Sequence, residues 1–262
     1  MNYSVPKQKE FFYFATKTNK TGKINHWFSR ETKDKLMNQF IEKINKYGKL
    51  YQSIPFVKEI FLCNSISFNT LKRDSDIDIF IITKKNSIRR ARFFSAIFFK
   101  LLWIKRSMKN KKQKFCLSFY ITEDHKNLYP IIIEKTDIYL TYRLAHLVPL
   151  YQESLNKNSL FIKNKRFKEL MPNHPEEYCI TIWNKIFTWK SKIKKWLEFI
   201  FWWTIGHILE KIIKIIRLPI LLNKIKKLWP SWKQIVINDE MLKFHNDIRD
   251  QIHLLYKIAQ KQ

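Results

Sequence analysis

Two aspartates separated by one isoleucine, Asp76-Ile77-Asp78, open the apolar run Ile79-Phe80-Ile81-Ile82-Thr83. Side chains alternate along a strand, so Asp76 and Asp78 share one face while Ile77 and Ile79 take the other. Two neighbouring carboxylates repel each other and are costly to keep ionised without a cation. A hard divalent ion takes carboxylate oxygens and fills its remaining positions with water and substrate phosphates. The chemistry to expect is metal-assisted, with Mg2+ or Mn2+, on a phosphorylated substrate. A bare Asp-x-Asp is common and often merely solvated; its surroundings give this one weight. Val57 to Leu62 reads as a largely apolar strand leading into a turn, Cys63-Asn64-Ser65. A polar loop, Asn69 to Ser75, then delivers the chain to the pair.

Strand, small turn, spacer and Asp-x-Asp together resemble the nucleotidyltransferases of the DNA polymerase beta superfamily. Their pattern is an apolar strand, Gly-Ser or Gly-Gly, a spacer, and Asp-x-Asp/Glu between apolar residues. Here the Gly-Ser position reads Asn64-Ser65, and a second spacer glycine would fall at Asn69. Both departures are Gly to Asn, the side chain that best tolerates positive φ. The resemblance covers roughly residues 55–150. It implies an α/β fold (α+β, mixed sheet) with helices on one face, and transfer of a nucleoside monophosphate from an NTP to an acceptor. It also implies roles: Asp76 and Asp78 as catalytic metal ligands, with Asn64 and Ser65 at the terminal phosphates. Ser75 would brace the loop. The family often carries a third carboxylate on a later strand. The strand read from Phe115 to Ile121 has none inside it, so Glu123 and Asp124, just past its end, are the nearest candidates.

These residues need elements to hold them. Leu36, Phe40, Ile41 and Ile44 recur at helical spacing, giving a helix over 31–48 with Gly48 as its stop. A second helix is expected from about Ile88 to Ile104. Phe93, Phe94, Ile97, Phe98, Leu101 and Leu102 form its apolar side, and Arg89, Arg90, Arg92 and Lys100 its solvated side. One basic residue near Lys84 to Arg92 is a candidate for the triphosphate. Lys105 to Lys114 reads as a solvated basic loop, and Asp137 to Tyr151 as a helix ended by Pro149. His146 reads as a packing or surface histidine.

The division expected is an N-terminal arm (1–30), a nucleotidyltransferase domain (31–170) and, after Pro172 and Pro175, a basic helical extension (176–262). The extension holds Trp183, Trp189, Trp196, Trp202 and Trp203. Its most apolar run, Phe199 to Gly206, is bounded by Glu198, His207, Glu210 and Lys211, too short for a span. Two readings stay open for residues 190–222: packing on the domain or another copy, or lying on an anionic membrane. Asp239 to Lys257 is expected as a last amphipathic helix.

The chain has 262 residues and a formal net charge of +28, which calls for anionic partners such as NTP, nucleic acid or anionic lipid. With 3 glycines and lysine spread throughout, the excess reads as general composition, so nucleic acid is not favoured. Cys63, Cys116 and Cys179 lie far apart and imply neither a disulfide framework nor a zinc site. Cys63 and Cys116 read as small core residues. A cytoplasmic setting follows, with a peripheral membrane contact as the variant, and Met1 to Asn25 has no signal-peptide pattern. The rival readings are a catalytically inactive nucleotidyltransferase-fold binding module and a basic membrane-surface or nucleic-acid-binding protein.

Overall fold

The computed structural model describes residues 30–67, 71–107, 110–132, 137–153, 191–202, 204–217, 219–220, 222–223 and 235–244, with single residues 160, 164 and 187. The N-terminal arm up to residue 29, Asn69, Cys179, the proline boundary and the stretch 245–257 lie outside them.

The body is a mixed α/β structure around a six-stranded mixed sheet. In chain order the elements begin with α1 (Arg30–Lys46), α2 (Gly48–Ser53), β1 (Val57–Leu62), β2 (Ile77–Thr83) and α3 (Ile88–Leu101). They continue with β3 (Phe115–Thr122), α4 (Ile138–Ala145), β4 (Val148–Gln152), α5 (Lys192–Ile200) and α6 (Thr204–Ile212). A π-helical turn, Ile213–Arg217, extends α6 before β5 (Val236–Ile237) and β6 (Met241–Lys243). The strand order is β4-β1-β2-β3-β6-β5. β1 runs antiparallel to β2 and β4, while β2 and β3 are parallel and joined through α3. A parallel pair needs such a crossover, and α3 supplies it.

β2 is buried on both faces, as a continuous apolar run requires. Ile77, Ile79 and Ile81 join Phe40, Ile44, Tyr51 and Phe94 on the side covered by α1, α2 and α3. Phe80 and Ile82 join Phe119, Leu140 and Leu144 on the side covered by α4. Helices therefore pack on both faces of the sheet rather than on one, because the alternating isoleucine and phenylalanine sets are both apolar.

Several boundaries differ from the sequence reading. α1 ends at Lys46, and Gly48 starts α2 instead of closing one long helix. A Cβ at residue 48 would overlap the Phe187 ring, so glycine is used there for close approach. The helix read over 137–151 is α4 followed by an edge strand, β4, with Pro149 inside it. Proline is tolerated at an edge because one side of the strand has no ladder to supply. The start of the expected last helix is the hairpin strand β6, whose Leu242 pairs with Tyr120 of β3. The C-terminal stretch thus contributes strands to the same sheet as well as helices.

α5 and α6 are fastened to the body by carboxylates. Glu198 accepts from the Phe56 N–H at 2.8 Å and pairs with Lys84 at 2.7 Å. Glu210 accepts from the N–H groups of Arg89 and Arg90, each at 3.0 Å, at the start of α3. Ser87, the N-cap residue, makes no side-chain cap, so a carboxylate from another helix satisfies these donors. Arg89 and Arg90 are buried against Glu210 rather than solvated.

Candidate active site

The acid pair sits where β2 begins. Asp76 precedes the strand and Asp78 is its second residue, half-buried in line with Phe80 on the α4 side. Ligand atoms of Asp76, Asp78 and Cys116 all lie within 4.8 Å of one another. Cys116 reaches them because β3 is parallel to β2 and pairs Asp78 with Cys116. The sequence reading had made it a core residue. It is buried, yet it occupies the place on β3 where a third acidic side chain was sought. Only the register of the two strands reveals this.

Glu123 and Asp124 do not join the pair. Thr83 pairs with Thr122, so both acids stand beyond the opposite end of β2, about five residues or ~17 Å along the strands. There Glu123 pairs with Lys58 at 2.5 Å and Asp124 with Lys85 at 3.5 Å. The basic candidates Lys84 to Arg92 share that far end. Lys84 is taken by Glu198, Arg89 and Arg90 by Glu210, and Arg92 lies 3.5 Å over the Phe244 ring.

The cations near the pair come instead from the loop read as merely solvated. Ile77 N–H donates to the Lys114 carbonyl, and Gln113 N–H to the Ser75 carbonyl, each at 2.8 Å. Phe115 and Ile104 are joined likewise at 2.8 Å, and Arg106 N–H reaches the Phe115 carbonyl at 2.9 Å. These bonds hold Arg106 against the site. Its Nη1 donates to Asp76 Oδ2 and lies 3.4 Å from the Cys116 thiol sulfur. Lys72, Arg73, Lys105, Lys111 and Lys112 are exposed on the loops flanking the pair, so the carboxylates lie in a basic surround.

Asn64 adopts the left-handed conformation, φ 59°, that glycine would take in the turn after β1. Its Nδ2 donates to Asp78 Oδ2 at 2.9 Å, so the side chain leans into the site. Its Oδ1 is buried without a hydrogen-bond partner among the described residues. Ser65 follows, half-exposed, on the same turn. Ser75 Oγ accepts from the Lys72 N–H at 2.9 Å and so braces the loop.

The electrostatics follow from crowding. Burial and then the charge of Asp78 push the Asp76 carboxyl above its ordinary value, while Arg106 pulls it back. Burial and then Asp78 push the Cys116 thiol up to about 12, with Ser118 and Arg106 opposing. At neutral pH Cys116 is therefore a thiol, and it becomes a ligand only when a cation displaces its proton. Two carboxylate oxygens, a sulfur and an orphaned amide oxygen nearby suit a divalent ion chemically. Arg106 supplies positive charge to the same atoms. Scans of this chain against protein-family models, curated proteins and solved structures found no match.

Proposed function

We propose that the chain is a metal-dependent nucleotidyltransferase with a polymerase-beta-like catalytic unit, moving a nucleoside monophosphate from an NTP to an acceptor. The observation that carries this reading is the meeting of Asp76, Asp78 and Cys116 within 4.8 Å beside the Asn64-Ser65 turn. Asp76 and Asp78 would hold Mg2+ or Mn2+, with water and substrate phosphate as the other ligands, and Cys116 beside them on β3 would add its sulfur only to a softer ion. When bound, the ion neutralises charge developing on the transferred phosphorus and its leaving oxygen. The acceptor oxygen attacks the α-phosphorus, and the bond to the departing pyrophosphate breaks. Ser65 and the N–H groups of the turn hold the terminal phosphates, as successive backbone donors commonly do. Lys72, Lys105, Lys111 and Lys112 raise the local concentration of the anionic nucleotide.

Calorimetry tests this. The wild-type chain is expected to bind NTP in a Mg2+- or Mn2+-dependent manner, and the Asp76→Ala/Asp78→Ala variant to lose that dependence. Unchanged binding in the variant overturns the site. Incubating the active chain with labelled NTP and fractionated lysate then identifies the acceptor by the fraction that becomes labelled.

A second reading, a binding module that keeps the fold without catalysis, is favoured by one observation. Arg106 neutralises Asp76 from within the chain, doing electrostatically what a metal would do. Failure of both the wild-type chain and Arg106→Ala to take up Mn2+ selects this reading.

A further inference from the structure

We propose that the outward face of α5 and α6 is a docking surface for an anionic lipid bilayer, with both helices lying in the plane of the interface. The face is apolar where a protein surface is ordinarily polar. On α5, Ile193, Trp196 and Phe199 recur three residues apart, with Trp196 64% and Phe199 79% exposed. On α6 and its π turn, Ile208, Ile212 and Ile215 recur four and three residues apart, with Ile215 72% exposed. An exposed apolar patch of this kind marks an interaction surface.

The charges are sorted between the two sides. Between Lys192 and Arg217 the sequence has two acidic residues, Glu198 and Glu210. Both point inward, into ion pairs with Lys84 and with Arg89 and Arg90. Lys192, Lys195 and Lys211 are exposed beside the apolar stripes. The two helices therefore present aromatic and branched apolar side chains with lysines and no outward carboxylate of their own; the exposed Asp239 beside the π turn is paired with Lys214 and Arg89. That is the chemistry of an interfacial helix on anionic headgroups, with tryptophan at the boundary and lysine toward phosphate.

Length agrees. Each helix has nine residues, about 14 Å, roughly half the hydrocarbon thickness. Among the described residues no helix is long and apolar enough to cross a membrane. The ion pairs to the sheet and α3 fix the face in place, so little ordering remains to be done on binding. A second copy of the chain fits less well, because it would bring lysines against lysines on a chain of net charge +28.

Flotation of the full-length chain with phosphatidylcholine vesicles, with and without phosphatidylglycerol, tests this. The wild-type chain is expected to float with the anionic vesicles at moderate salt and not with the neutral ones. Trp196→Ser/Phe199→Ser/Ile215→Ser, checked for fold by circular dichroism, is expected to partition about tenfold less or weaker. Lys192→Glu/Lys195→Glu/Lys211→Glu is expected to fall to the neutral-vesicle level. Asp76→Ala/Asp78→Ala is expected to float like wild type, since the two sites are separate. No flotation of the wild type overturns the proposal. Equal flotation of the apolar variant also overturns it, because diffuse charge alone then explains binding. A lipid-independent dimer that the apolar variant converts to monomer assigns the face to a second copy instead.

Discussion

Arg106 donates to Asp76 Oδ2 and lies 3.4 Å from Cys116 Sγ, so one guanidinium touches two of the three donor atoms at the start of β2. The proposed metal would sit at these atoms, and the chain provides a positive charge of its own. A metal bound there would compete with the arginine for the same oxygens.

Arg106→Ala is accordingly expected to raise the affinity for Mn2+ by about fivefold, the equivalent of one partly exposed ion pair worth about 1 kcal/mol. Arg106→Lys should fall between, since an ammonium cannot span carboxylate and thiol as a planar guanidinium does. Titration of Mn2+ followed by electron paramagnetic resonance reads this directly. Equal affinities in the three proteins would show that the arginine does not compete.

Cys116 sets a second comparison. Sulfur favours softer ions and carboxylate favours Mg2+. Cys116→Asp is expected to shift preference toward Mg2+, and Cys116→Ser to abolish any sulfur-to-metal charge-transfer absorption with Cd2+. Absence of that absorption in the wild-type chain removes Cys116 from the ligand set.

Asn64 can be varied on either side of its conformational requirement. Asn64→Gly keeps φ 59° without strain and removes the hydrogen bond to Asp78. Its stability should stay within about 1 kcal/mol of wild type, and its NTP affinity should rise as the turn opens. Asn64→Val places a β-branched side chain in the left-handed region and is expected to lose about 1–2 kcal/mol. Urea unfolding of both variants, with nucleotide titration of the glycine variant, makes the comparison.

Glu210 holds two backbone N–H groups and two arginines at once. Removing it takes the acceptor from both N–H groups, while Arg89 keeps Asp239 and Arg90 keeps the Phe201 and Asn86 carbonyls, so Glu210→Ala is expected to lower stability by about 2 kcal/mol. Glu210→Gln, whose single amide oxygen can still accept from one of the two N–H groups, should lose less. Thermal melts of the two variants against wild type check the order.

Alkaline pH should weaken the fold by a traceable route. Burial pushes the Cys63 thiol up to about 11 from an ordinary value of 9.0. The folded chain keeps a proton that the unfolded chain releases, so this contribution is whole below about pH 9 and is lost as pH rises through 11. Two units correspond to about 3 kcal/mol. Tyr120, pushed by burial to about 12, acts in the same sense at higher pH. The urea midpoint should fall across this window, and Cys63→Ala should fall less steeply.

The strands around Asp76 and Asp78 were legible because alternation and apolar runs are local signals. So was the left-handed turn at Asn64, from the chemistry of one residue type. Cys116 and Arg106 were not. Their approach depends on the parallel register of β2 with β3 and on loop hydrogen bonds to Ser75 and Ile77, which no spacing in the sequence encodes. Glu123 and Asp124 drew attention as acids near a strand end, but at the wrong end. β4 and β6 were read as helix because short strands in company with Leu and Lys carry a weak period. Gly48 was read as a stop, although what it serves is the approach of Phe187.

β6 covers the edge of β3 along Phe119 to Ile121, yet it comes more than a hundred residues later in the sequence. On the ribosome, β3 emerges long before the strand that shields it. At about 5–20 residues per second, the nascent chain carries an open, strongly apolar edge for several seconds or more. Such an edge invites pairing between neighbouring chains. Slowing translation between β3 and β6, or truncating ahead of Met241, should therefore send this protein toward aggregates, and a chaperone that masks strand edges should rescue its yield.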